Sequence, residues 1–188
     1  MVYIREKKFK RKNGSVVTYA YVVKNIWKKR VPKGSERGAR QKVKGYLGKV
    51  CSFSRVDDKE FISHFCVNDV KAHFDENGVN SVVRDLVRLE LLNHGFVENG
   101  DFYANGDLMV YIGENDFFVK NLNEEKDRKL VIAMNEGFLC KETISKLLSF
   151  KPYGTEKEIG RDLGNALLEA GLRVPNEIFV EMFERVVK

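Results

Sequence analysis

Hydrophobic and polar positions change their period three times along this chain. Near the N-terminus the pattern is that of strands: Val2-Tyr3-Ile4, then Asn13-Gly14, then the β-branched and aromatic run Ser15–Val23. Asn-Gly accepts positive φ and predicts a type I′ hairpin turn between the first two strands. Pro32–Gly38 reads as a second, looser turn, and Gln41–Leu47 as a third strand. Simple alternation puts Arg40, Lys42, Lys44 and Tyr46 on one face of that strand, with Gln41, Val43 and Leu47 on the other.

From residue 51 the spacing lengthens. Cys51–Asp58 reads as a short linker, after which Phe61, Ile62 and Phe65 fit one helical face with Asp57 or Asp58 as its N-cap. A second helix is predicted from Asn68 to Glu76, ending at Asn77-Gly78. A third runs from Asn80 or Ser81 to His94-Gly95, with Val82, Val83, Leu86 and Leu89 in step. Short apolar segments between Phe96 and Lys120 follow, separated by Asn99-Gly100, Asn105-Gly106 and Gly113–Asn115; they predict a meander of hairpins. Two helices joined at Gly78 and followed by hairpins resemble a winged helix-turn-helix. Arg84 and Arg88 would share the reading helix with Asp85 and Glu90, so plain α+β packing or a protein contact is the preferred expectation here.

Beyond Asn123 the period is helical. Lys129–Asn135 is expected as a helix behind the acidic turn Glu124-Glu125, broken at Gly137, and Glu142–Phe150 as another. Thr155-Glu-Lys-Glu158 is a capping box. The helix it starts aligns Ile159, Leu163 and Leu167, with Gly160 and Gly164 beside them where a partner helix could approach. Gly171 ends that helix, and Pro175 opens a last one carrying Ile178, Phe179, Met182 and Phe183. The expected fold is α+β: a small basic antiparallel sheet over 1–50, a helix-turn-helix-like unit with a β-meander over 51–121, and a C-terminal helical subdomain over 122–188.

Charge changes the picture more than composition does. The net charge of +6 divides sharply, because residues 1–50 hold sixteen Lys or Arg against Glu6 and Glu36, and the remainder carries a net −8. Such a footprint fits a polyanion. The competing explanation, lysines protecting an exposed sheet edge, accounts for scattered cations but not for this density. The expected phosphate contacts are Lys7, Lys8, Lys10, Arg11, Lys28, Lys29, Arg30, Arg37, Arg40, Lys42 and Lys44. Tyr19, Tyr21 and Trp27 are candidates for stacking or for the core of the sheet. The acidic remainder is a scaffold or a platform for a protein partner.

The segments Tyr3-Ile4-Arg5, Asn13-Gly14, Tyr19-Ala-Tyr-Val-Val23 and Arg40-Gln-Lys-Val-Lys-Gly-Tyr-Leu-Gly48 together resemble the N-terminal region of certain insertion-sequence transposases of the DDE type. Those proteins begin with a basic hairpin that closes on a comparable strand, followed by a much longer domain with three metal-binding carboxylates. The resemblance covers the first fifty of 188 residues and implies a DNA-associated module rather than transposition chemistry.

Few reaction classes survive inspection. Apolar runs are short, which excludes a spanning helix, and the first residues lack the apolar core of a signal peptide. Three separated cysteines (Cys51, Cys66 and Cys140) do not form a disulfide framework, and a reducing cytoplasm is the expected location. Cys51, His64, Cys66 and His73 lack the paired spacings of a zinc module. No phosphate-binding glycine loop and no nucleophile motif occurs. Asp101, Asp107, Glu114 and Asp116 could bind Mg²⁺ for phosphodiester cleavage, although turn chemistry explains them more simply. The expectation is a nucleic-acid-binding protein, for DNA or RNA, without catalytic residues, metal or cofactor. A metal-dependent nuclease and a ribonucleoprotein-associated interaction factor are the alternatives.

Overall fold

The N-terminal β-branched and aromatic runs form three long antiparallel strands: β1 (Val2–Lys10), β2 (Val16–Lys28) and β3 (Gly38–Ser52). The computed structural model describes residues 2–28, 38–114, 116–123 and 128–188. The looser turn expected at Pro32–Gly38 lies outside the described residues up to Arg37, as do Lys29, Arg30 and the acidic pair Glu124-Glu125.

The first hairpin does close at Asn13-Gly14, but not as a type I′ turn. Gly14 alone has positive φ, its N–H bonds Arg11 O at 2.9 Å, and Arg11 N–H bonds Ser15 O at 2.8 Å. That is a three-residue loop ending in a left-handed glycine. Asn13 stays out of the left-handed region while its side-chain oxygen accepts from Ser15 N–H at 3.1 Å.

Chain order continues with α1 (Phe61–His64), α2 (Val70–Asn93), the strands β4 (Val97–Asn99), β5 (Phe102–Asn105), β6 (Leu108–Ile112) and β7 (Phe117–Asn121), then β8 (Leu130–Met134) and β9 (Gly137–Leu139). Three helices end it: α3 (Lys141–Leu148), α4 (Glu156–Glu169) and α5 (Asn176–Val187). The fold is α+β, as the sequence pattern predicts. β4 to β7 form the expected antiparallel meander. None of the described helices is long and apolar enough to cross a membrane.

Three local expectations need correction. First, α1 is a single turn whose N-cap position is Glu60, with no side-chain cap; neither Asp57 nor Asp58 fills it. Asp57 accepts instead from Asp58 N–H at 2.8 Å. Second, the two middle helices do break at Gly78 (φ 74°, ψ 164°) as the pattern predicts, but helical backbone resumes at Val79, so neither Asn80 nor Ser81 is the cap of the later one. Asp69 caps the earlier one, accepting from the N–H groups of Lys71 and Ala72. The half after the bend is buried on most sides (Val82, Val83, Leu86, Val87, Leu89 and Leu91 among others) and forms the centre of the core, leaving no face to enter a groove.

Third, Leu130-Val-Ile-Ala-Met134 is a strand, not a helix. All but Ala133 are buried, and β8 pairs parallel with the end of β3 and antiparallel with β9. A short continuous apolar run has no period that distinguishes a buried strand from a helix. The sheet order β1-β2-β3-β8-β9 therefore carries the basic strands directly into the body. β3 continues to Ser52, past the boundary at 50, and residues of 51–121 and 122–188 share one core.

The C-terminal pattern is reproduced closely. Thr155 accepts from Glu158 N–H while Glu158 accepts from Thr155 N–H at 2.9 Å, closing the capping box. Ile159, Leu163 and Leu167 are buried, and Gly160 faces the ring of Phe183 on α5. A buried carboxylate locks these layers together. Glu90, 1% exposed, accepts from Arg55 Nη1 at 2.8 Å, Asn135 Nδ2 at 3.0 Å and Arg173 N–H at 3.3 Å. It thereby ties the stretch after β3, the β8–β9 turn and the α4–α5 loop to α2.

Candidate nucleic-acid interface

Strand pairing decides which basic residues can act together, because directly opposed residues share a face. On one face of β1–β3, Lys7 opposes Tyr19, Arg5 opposes Tyr21, Tyr3 opposes Val23, and Phe9 opposes Val17. Across the β2–β3 pair the same face receives Lys49 opposite Tyr19, Tyr46 opposite Tyr21, Val43 opposite Val23 and Gln41 opposite Asn25. Trp27 belongs to it by alternation along β2. The other face carries Ile4, Ala20 and Val22, which cluster with Leu47, Val131, Phe138 and Cys140. That second face is the inner one over its centre.

The expected grouping of Arg40, Lys42, Lys44 and Tyr46 does not survive. β3 has two register shifts against β2, one skipping Lys44 and one skipping Leu47. Each extra residue in a bulge reverses the alternation that follows it. Arg40 and Lys42 therefore oppose Ile26 and Lys24 on the inner-side face, whereas Tyr46 opposes Tyr21 on the outer face. Gln41 and Val43 lie on the outer face, away from Arg40 and Lys42 as expected. Leu47 does not join them, because it packs with the inner cluster.

Lys7 is on the outer face; Lys8 and Lys10 oppose Thr18 and Val16 on the other. Arg11 sits at the hairpin loop and Lys28 at the end of β2. Lys29, Arg30 and Arg37 lie outside the described residues. Sequence reasoning left out Arg5, Tyr3, Phe9, Gln41 and Lys49, which the register brings to the outer face. Period-two counting along β1 alone would have grouped Tyr3, Arg5, Lys7 and Phe9.

Aromatic rings run across this outer face in contact. Phe9 and Tyr19 have centroids 5.6 Å apart, Tyr19 and Tyr46 6.0 Å, and Tyr46 and Tyr21 5.5 Å. Lys7 Nζ stands 5.2 Å from the Tyr21 ring centre. Beside them Arg5 donates to Gln41 Oε1, Gln41 donates to Tyr3 Oη, and Tyr3 Oη–H donates to Asn25 Oδ1 at 3.4 Å. Trp27 is 64% exposed, Phe9 47% and Tyr46 43%, so these three face solvent, while Tyr19 and Tyr21 are half-buried between their neighbours. No carboxylate shares the face among the described residues; Glu6 opposes Ala20 on the other side.

Elsewhere, several charged groups pair within the protein. Lys141 beside Asp116, at 2.9 Å, holds its carboxyl below the usual carboxylate range, and Phe117 N–H adds to this. Lys129 pairs with Glu142 at 2.8 Å, and Arg88 with Asp85 at 2.8 Å. Burial pushes Asp85 up despite Arg88, and burial with the Glu98 hydrogen bond pushes the Tyr103 hydroxyl up. The Cys140 thiol is likewise raised by burial, which keeps it in the poorly nucleophilic form. Among the described residues no three His, Cys, Asp or Glu side chains converge to hold a metal. No family model, curated protein or solved structure matches the chain.

Proposed function

We propose that this chain is a non-enzymatic nucleic-acid-binding protein that contacts phosphates through its basic N-terminal sheet. The outer face of β1–β3 carries the reading: cations and solvent-facing aromatic rings lie side by side there, and no described carboxylate intrudes. Residues 2–28 and 38–52 hold twelve lysines and arginines against Glu6 alone, which raises the local concentration of any polyanion. The transposase-like segments in the same strands point to the same class of ligand. Cys51, Cys66 and Cys140 form no disulfide, which suits a protein that works in a reducing cytoplasm.

Titration of the full chain with labelled oligonucleotides across a salt series tests this. With about 6 phosphate contacts, log K falls against log salt with a slope of roughly −5 for duplex DNA and −4 for single strands. The double variant Arg5→Gln, Lys7→Gln moves the slope toward zero by between about 1 and 2. Absence of binding at low salt, or affinity indifferent to salt, overturns the proposal. Cleavage of the same oligonucleotides with Mg²⁺ or Mn²⁺, abolished by Asp107→Asn or Asp116→Asn, overturns its non-enzymatic part.

A further inference from the structure

We infer that the ligand of this sheet is single-stranded nucleic acid, whose bases stack on the ring track Phe9–Tyr19–Tyr46–Tyr21. The inference rests on the nucleic-acid reading above and adds which form is bound. Phosphate attraction alone requires only cations, and the opposite face supplies these as well, in Lys8, Lys10, Arg40 and Lys42. The outer face adds something a phosphate does not use: four rings in succession across three strands, with neighbouring centroids between 5.5 and 6.0 Å apart. Phe9 and Tyr46 are exposed and Tyr19 and Tyr21 half-buried, so the track offers ring surface to a ligand, and such rings on a cationic sheet are stacking surfaces for unpaired bases. In a duplex those base faces are covered by their neighbours in the stack and cannot reach the track.

The same features disfavour the other occupants of an apolar-aromatic face. Two copies of the chain placed face to face would bring Arg5 and Lys7 of each together, with no described carboxylate on that face to offset them. A single strand satisfies both halves of the surface at once. Its phosphates meet Arg5 and Lys7 along β1 while its bases lie over the tyrosines of β2 and β3. Gln41 and Asn25 are exposed on the same face, and an amide has bonding capacity for a base edge beyond the bonds these two make with Arg5 and Tyr3. Phosphate, base and amide chemistry are common to DNA and RNA, so both enter the test.

The experiment uses fluorescence anisotropy on the full chain with twelve-nucleotide oligomers of one mixed sequence: single-stranded DNA, single-stranded RNA and the DNA duplex, at equal salt. Single strands bind tighter than the duplex. Tyr46→Ala or Tyr19→Ala weakens single-strand binding by roughly 5- to 150-fold with an unchanged salt slope. Tyr46→Phe, which keeps the ring, stays within about twofold of the parent; this variant guards against reading a misfolded alanine variant as lost stacking. A duplex bound as tightly as the single strands overturns the inference but leaves the phosphate-binding reading standing. Alanine variants that bind single strands like the parent do the same. Failure of all three oligomers to bind removes the reading on which it rests.

Discussion

Removing Arg55 tests how the body that carries the sheet is held together. Arg55 is the charged partner of Glu90, whose side chain is 2% exposed, at 2.8 Å; its own side chain is 19% exposed. Deleting one member of a buried pair leaves an uncompensated charge and costs about 3–5 kcal/mol. Glu90 would keep Asn135 Nδ2 at 3.0 Å and Arg173 N–H at 3.3 Å, and Arg55 is itself partly solvated. Both facts place Arg55→Met at the lower end, about 3 kcal/mol. For a chain of this size that lowers the melting temperature by about 6–12 °C. Glu90→Gln introduced into that variant removes the buried charge while retaining an acceptor, and restores about 1–2 kcal/mol. Urea unfolding of the parent, both single variants and the double variant closes the cycle. A loss under about 1 kcal/mol for Arg55→Met, or strictly additive effects, would refute the view of Glu90 as a shared anchor.

Further outcomes follow from other parts of the molecule. Gly137→Ala should destabilise by about 3 kcal/mol or more in the same urea assay, because a Cβ there would collide with the backbone of Leu168 and Gly171. Thr155→Ala should cost about 1 kcal/mol through loss of the cap of α4. Glu158 in that capping box is held below its ordinary value of 4.5 by the N–H and hydroxyl of Thr155. Its contribution is therefore present above pH 4.5 and is lost as pH falls through its folded value, so parent and Glu158→Gln melting curves should converge on acidification. On the binding side, Arg5→Gln with Lys7→Gln should weaken oligonucleotide binding more than Lys8→Gln with Lys10→Gln, since only the first pair shares the aromatic face. Equal losses, measured by anisotropy at one salt concentration, would place the ligand on neither face in particular.

Elements whose signals are local were legible in the sequence. The capping box at Thr155, the turn at Gly95 and the Asn-Gly punctuated meander depend on neighbouring residues, and each stands where the pattern puts it. What escaped depends on residues far apart. Leu130–Met134 is a strand because the end of β3 offers it hydrogen bonds, which its own apolar run does not encode. The faces of β3 are set by two bulges against β2, so period-two counting from Arg40 reaches Tyr46 on the wrong side. Glu90 reads as the polar side of a helix until Arg55 and Asn135, distant in sequence, converge on it. The basic character of the N-terminal sheet was plain from charge alone. Which cations accompany the tyrosines required the register.

If the outer face of β1–β3 touches nucleic acid, photocrosslinking reads that contact directly. Irradiating the full chain with an oligonucleotide containing a photoreactive uracil, then mapping modified peptides by mass spectrometry, reports the residues in contact. Binding by this face predicts adducts at Phe9, Tyr19, Tyr46 or Trp27, suppressed by excess unlabelled single strand. Adducts confined to α2, the β4–β7 meander or the C-terminal helices would contradict it.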